Sequence, residues 1–184
     1  PAGVMNTNAL YGDRNEFTVA LWVKYIRPPV AGDWNLWFDA GVRNGNQRAH
    51  LNVIGHERWI GTGTTADPLR MKLINVWGRP FSDGELDDLD KNPTYDQIYN
   101  PDWAYHIISW KHVGQSGQPG GWMKYWVNGV LVSDLIPSNW WSVHLRAFER
   151  IGMNTPQYIV QDMVFYEEAI ERDDVAMYMY NNPW

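Results

Sequence analysis

The dipeptide Asn128-Gly129, set between the β-prone runs Lys124–Val127 and Val130–Val132, constrains this chain more than any other feature. Asn-Gly supplies the two positive-φ residues of a type I′ turn, whose twist matches that of the strands it joins. A two-residue turn also sets register: Val127 is expected opposite Val130, Trp126 opposite Leu131 and Tyr125 opposite Val132. Side chains alternate across a strand, so Met123, Tyr125, Val127, Val130 and Val132 are expected on one face. Trp122, Lys124, Trp126, Leu131 and Ser133 are expected on the other. One face can be core, and the tryptophan face must be covered or wet.

The rest of the chain repeats this period of two. Phe17–Tyr25 alternates strictly and reads as a half-buried strand that ends at Arg27-Pro28-Pro29, because proline cannot donate to a ladder. Residues 34–41, 49–54, 71–77, 103–111, 150–153 and 159–166 read as further strands, with a turn at 42–47 and a Gly-rich loop at 115–121. Residues 167–178 form the one helical stretch, expected to pack Ile170, Val175 and Tyr178 on an edge of the sheets. Many short strands with polar turns and almost no helix specify an all-β, two-sheet antiparallel sandwich.

Length and composition fit one domain spanning residues 1–184. The exception to the rhythm is an insert at 79–102, in which seven acids face two bases, holding nearly all of a net charge of −6. A connection that long inside a compact domain is functional or mobile. The acidic balance argues against nucleic acid, which is bound through clustered Lys and Arg. No apolar run approaches the ~20 residues of a membrane helix, so no membrane insertion is expected. The chain starts at Pro1 without signal-peptide features, as a mature or excised form would. There is no cysteine, hence no disulfide framework and no thiolate site.

Four stretches resemble the laminin-G-like, concanavalin-A-like jelly-roll superfamily, in the order that superfamily has them. Phe17–Lys24 resembles its opening strand, Trp103–Trp110 its central Trp-His strand, and Tyr125-Trp-Val-Asn-Gly129 its hairpin. Ile151-Gly152, Asp162–Ile170 and Asp173–Tyr178 resemble its closing strand and terminal turn. The resemblance implies a two-sheet jelly roll with one short C-terminal helix, working as a recognition or adhesive module. It also implies a place outside the cell, on a cell surface or on a virion, often with glycan as partner and sometimes with Ca2+ bound. The acidic insert and the tryptophan content depart from the pattern.

The candidate chemistry divides three ways. Some enzymes of the superfamily cut β-glucans with Glu-x-Asp-x-x-Glu on one strand, and Glu85, Asp87 and Asp90 resemble that set with the last Glu shortened to Asp. Retaining glycosidases need carboxyls about 5 Å apart, and one methylene lost misplaces the acid or the nucleophile, so no catalytic role is expected. Asp83, Glu85, Asp87, Asp88 and Asp90 are dense enough in oxygen for Ca2+, and Asp162 is a further candidate, although a solvated acidic loop is the usual meaning of such a run. His50, His56, His106, His112 and His144 lack metal-ligand spacing and read as structural.

Sugar recognition needs aromatic platforms for the C–H faces of a pyranose and amides or acids for its hydroxyls. Twelve Trp and ten Tyr against five Phe supply rings with polar handles. Trp22 and Trp126, expected to face away from the core, and Trp140-Trp141 in a loop are the candidate platforms, with Asn128 and Asn154 as polar partners. The same surfaces suit self-association, as in a virion decoration protein or a filament, because protein interfaces are enriched in the same residues.

Overall fold

In a computed structural model the described residues lie mostly in antiparallel strands. The structure describes residues 3–6, 16–26, 36–42, 48–54, 59–60, 64–66, 70–71, 74–77, 93–111, 122–135, 145–153 and 158–183. The strands are β1 Gly3–Asn6, β2 Glu16–Tyr25, β3 Leu36–Val42, β4 Arg48–Ile54, β5 Trp59–Ile60, β6 Arg70–Met71 and β7 Ile74–Trp77. A four-residue helix, α1 Tyr95–Ile98, precedes β8 Ala104–Lys111, β9 Trp122–Val127, β10 Val130–Leu135, β11 Leu145–Met153 and β12 Tyr158–Tyr166. Helix α2, Asp173–Asn181, follows.

Two five-stranded sheets form, in the orders β1-β11-β3-β4-β7 and β10-β9-β8-β2-β12, with β5-β6 as a separate pair. The chain crosses repeatedly between the sheets, and strands from its beginning pair with strands from its end: β1 with β11, β2 with β12. All of these pairings are antiparallel, as the sequence pattern requires. Two expected strands differ. The 71–77 run is divided between β6 and β7, and the short strand at 150–153 is the end of a longer one that starts at Leu145. Strand β1 was not visible in the sequence pattern.

The hairpin forms as the Asn-Gly pair dictates. Asn128 and Gly129 have φ of 51° and 78°, Val130 lies opposite Val127, and Leu131 lies opposite Trp126. The expected Tyr125–Val132 pairing is replaced by Tyr125–Ser133, because a β-bulge inserts one residue at Val132. Ser133 thereby moves to the Tyr125 face, where it is buried.

Register sorts the second sheet into two faces. Val19, Leu21 and Val23 of β2 lie opposite Ile108, His106 and Ala104 of β8, which in turn meet Tyr125 and Val127 of β9. On the other face Thr18, Ala20 and Trp22 lie opposite Ser109, Ile107 and Tyr105, and Ile107 opposite Trp126. Strand β2 is expected to be half-buried, yet Thr18 and Ala20 are as inaccessible as Val19 and Leu21. The cause is the C-terminal segment. Helix α2 lies on this second face, not on a sheet edge, and packs Ala176, Met179 and Tyr180 against Ala20, Tyr105, Ile107 and Trp126. Val175 and Tyr178, expected to be buried, are exposed.

Candidate functional site

The C-terminal cover decides what becomes of the candidate platforms. Trp126 has no accessible surface, and its indole N–H donates to Asp173 Oδ1 at 2.8 Å. The expectation that this ring faces outward is therefore corrected: alternation puts it off the first core, and the first turn of α2 then closes over it. Trp22 is half-buried, tilted against Tyr105 with centroids 5.0 Å apart and against Tyr180 at 6.3 Å. Asn128 works inside the fold. Its Oδ1 accepts the Tyr105 N–H at 2.8 Å while its own N–H donates to the Tyr105 carbonyl at 2.8 Å, which locks the turn onto the start of β8.

The segment before α2 is pinned by a buried hydroxyl pair. Thr18 Oγ1 donates to the Glu168 carbonyl at 2.7 Å, Ser109 Oγ lies 2.9 Å from Thr18 Oγ1, and the Ile170 N–H donates to Ser109 Oγ at 2.7 Å. Lys124 adds a bond to the Glu171 carbonyl at 3.0 Å. With these bonds made, this face of the sheet is closed to a ligand over its middle.

The end of the same sheet is different. Register brings together the last residues of β2, the start of β8, the Asn128-Gly129 turn and the start of β12: Val23 pairs Ala104, Tyr25 pairs Tyr158 and Lys24 pairs Ile159. At this end the large apolar side chains are exposed: Ile26, Trp103, Val130 and Ile159, with Met177 of α2 seated over Gly129. Trp103, the residue before β8, is 38% exposed.

At the same end a ladder of tyrosines runs outward from the core. Tyr25 is buried, Tyr99 is tilted against it at 5.5 Å, and Tyr95 stacks on Tyr99 at 5.0 Å with ring planes 15° apart. The local sequence builds this ladder. Gln97 Oε1 accepts the Thr94 N–H at 2.8 Å and fixes the start of α1, buried Ile98 anchors it, and the i, i+4 spacing puts Tyr95 beside Tyr99. Asn100 Oδ1 then accepts the Asp102 N–H at 3.0 Å, an Asx turn leading into Trp103. Desolvation first, then the neighbouring Tyr99 and the Asp96 charge, raise the Tyr95 hydroxyl pKa. Burial likewise pushes Tyr25 upward. Both stay protonated as donors at neutral pH.

These rings sit at the end of the stretch read from sequence only as an acidic insert. The signal that could have found them is Thr94-x-x-Gln97 with two tyrosines four apart. Tyr95 and Tyr99 give stacked aromatic surface, Trp103 is exposed a few residues further on, and Asp96, Asn100 and Asp102 alternate with these rings along the chain. That arrangement can hold a flat, hydroxylated ligand. It contains no nucleophile–base pair.

Of the other candidates, His106 is a buried structural histidine. Its Nδ1 shares a hydrogen bond of 2.5 Å with the Tyr125 hydroxyl, and desolvation pushes its pKa down to about 3. Asp162 is exposed, with φ of 51°, in a bulge on the edge strand β12. Among the described residues no three His, Asp or Glu side chains are grouped as a metal site would need. Trp140, Trp141, Asn154, Asp83, Glu85, Asp87, Asp88 and Asp90 lie outside the described residues.

No protein-family model and no curated protein matches the chain in sequence. Its fold is similar to that of an alginate lyase solved with an alginate tetrasaccharide, at a TM-score of 0.52 and 14% identity over 93% of this chain and 75% of that one. It is also similar to the ligand-binding domain of botulinum neurotoxin serotype D in complex with N-acetylneuraminic acid, at 0.50 and 12% over 99% of this chain. This chain spans 40% of that one. Domain 4 of an extracellular arabinanase from Geobacillus stearothermophilus, solved with arabinotriose, matches at 0.49 and 18%, over 94% of this chain and 69% of that one. The first two of these likenesses place the architecture among jelly-roll β-sandwich domains.

Proposed function

We propose that this chain is a non-catalytic carbohydrate-binding module, of the laminin-G-like and concanavalin-A-like kind, that works outside cells or on a particle surface. The observation that carries the reading is the run from Tyr95 to Trp103 at the turn end of the second sheet: the stacked Tyr95 and Tyr99, exposed Trp103, and between them in sequence the carboxylates of Asp96 and Asp102 and the amide of Asn100. Aromatic faces take up the C–H surface of a sugar ring, and the acids and amide accept and donate to its hydroxyls. The alginate lyase and the neurotoxin domain named above were each solved with a saccharide, which supports the reading without supplying a site.

A glycan array followed by titration of the hits tests this, with reducing-end assays on the same polysaccharides. Saturable binding without bond cleavage is the expected result. A second reading, assembly with copies of itself or of a partner chain, is favoured by exposed Val130 beside Met177, and by exposed Ile159 on the edge strand β12. A stable oligomer in sedimentation, with no array hit, is the outcome that selects it.

A further inference from the structure

We propose, resting on the carbohydrate reading above and on Trp103 as part of its site, that this end of the sheet takes an anionic sugar unit, its carboxylate or sulfate group held by the Lys24 ammonium. Register assembles the place. Lys24 of β2 pairs Ile159 of β12 on one side, and since Val23 pairs Ala104, the register carried one residue past β8 sets Lys24 opposite Trp103 on the other. Two residues further in, Trp22 lies between Gln161 and Tyr105. Alternation puts both rows on the face that α2 covers further along. Tyr180, near the end of α2, lies against Trp22 and Tyr105 with ring centroids 6.3 and 6.5 Å apart. Beyond these rings solvent reaches the sheet: Ile159 and Gln161 are exposed, Trp103 is exposed, and Lys24 is half-buried.

Lys24 differs from the other cations whose side chains are described. Lys111 lies 3.3 Å from Glu16 and 3.5 Å from Glu171, Lys124 lies 3.9 Å from Asp134 and donates to the Glu171 carbonyl, and Arg172 is paired with Asp174. Among the described residues no carboxylate pairs with Lys24, in a chain where 21 acids outnumber 15 bases. Asp102 and Asp162, next in sequence to Trp103 and Gln161, are exposed and neither pairs with it. Taking an ammonium partly out of water without a counter-charge is costly, and a bound anion offsets that cost. Residues directly opposed across a sheet have Cβ atoms about 5 Å apart. A sugar with its C–H face on Trp103 therefore brings an acidic substituent within reach of Lys24, where a charge-assisted bond forms. Gln161, diagonal to Lys24 on β12, offers an amide N–H to a second oxygen of the same group.

The experiment titrates alginate and polygalacturonate oligomers, sulfated galactan oligomers, and neutral gluco- and galacto-oligosaccharides into the wild type, Lys24→Met, Lys24→Arg, Trp103→Ala and Arg27→Met by calorimetry. Anionic oligomers are expected to bind more tightly than neutral ones, and less tightly as salt is raised. Lys24→Met should weaken them roughly tenfold or more, Lys24→Arg should keep most of the affinity, and Trp103→Ala should weaken them as well. Binding of the uronates alone, or of the sulfated oligomers alone, supports the inference and names the anion. Circular dichroism on each variant separates lost binding from lost folding. Neutral oligomers bound as tightly as anionic ones overturn the inference and leave the carbohydrate reading standing. So does anionic binding that Lys24→Met leaves intact, including the case where Arg27→Met abolishes it. Absence of binding to every oligomer overturns both.

Discussion

Trp126 reaches across to Asp173, and this one 2.8 Å bond joins the centre of the second sheet to the first residue of the C-terminal helix. It satisfies the indole N–H of a ring with no accessible surface, and it sets a carboxylate at the positive end of a helix. Asp173→Ala is expected to cost about 1–3 kcal/mol, because it leaves a buried donor unpaired. Asp173→Asn keeps the acceptor and loses only the charge, so most of that stability should return. Urea unfolding followed by tryptophan fluorescence measures both, and equal losses in the two variants would show that helix charge, not the indole bond, matters.

The hydroxyl pair Thr18 and Ser109 is expected to control how firmly the C-terminal segment is held. Ser109→Ala removes the nearer of two acceptors of the Ile170 N–H, which keeps Thr18 Oγ1 at 3.2 Å, and one partner of Thr18, which keeps the Glu168 carbonyl. A loss of about 0.5–1.5 kcal/mol follows, the worth of a hydrogen bond removed with no group left unpaired. Amide exchange should accelerate at Ile170 and through Asp173–Asn181 before it does in β8 and β9. Uniform acceleration across the sheet would show that the segment and sheet open together.

Gly129 is required twice over. Its φ of 78° is costly for any residue with a Cβ, and a Cβ there would lie 2.8 Å from Met177 Sδ and 3.1 Å from Met177 Cα. The sulfur can swing away, but the backbone carbon belongs to a packed helix. Gly129→Ala is expected to destabilise by about 1–3 kcal/mol through backbone strain and overpacking. Adding Met177→Ala should recover only the part due to the sulfur. A denaturation midpoint unchanged from wild type in Gly129→Ala would contradict the close helix approach.

The hairpin and the antiparallel strand pattern were legible in sequence because both are local: Asn128-Gly129 fixes its own turn, and alternation fixes the faces of β2, β8 and β9. What was not legible came from contacts distant in the chain. Nothing near Trp126 reveals that residues 47 positions later fold over it, so alternation alone made a buried ring look like a binding platform. The bulge at Val132 has no sequence signature of its own, and it moved Ser133 to the other face. Tyr95, Tyr99 and Trp103 were hidden for a different reason. Seven acids dominated the reading of 79–102, and the four-residue helix that stacks the tyrosines is too short to show a period.

His106 makes the stability of the sheet depend on pH in a definite sense. Its ring is buried opposite Leu21 and Val127, its Nδ1 is bonded to the Tyr125 hydroxyl, and its Nε2 has no hydrogen-bond partner among the described residues. Burial lowers its pKa to about 3, against about 6.5 in the unfolded chain. Between these values the unfolded state holds a proton that the folded state does not, so stability rises with pH. Acidification through the same window removes it, by up to ~1.4 kcal/mol per pH unit. His106→Gln keeps a polar group within reach of Tyr125 but cannot take up a proton there. Its unfolding free energy should fall less steeply than that of wild type between about pH 6 and 4, both measured by urea titration. The carboxylates common to both proteins cancel in that difference. Parallel pH profiles would mean that the imidazole is charged, or reached by water, in the folded state.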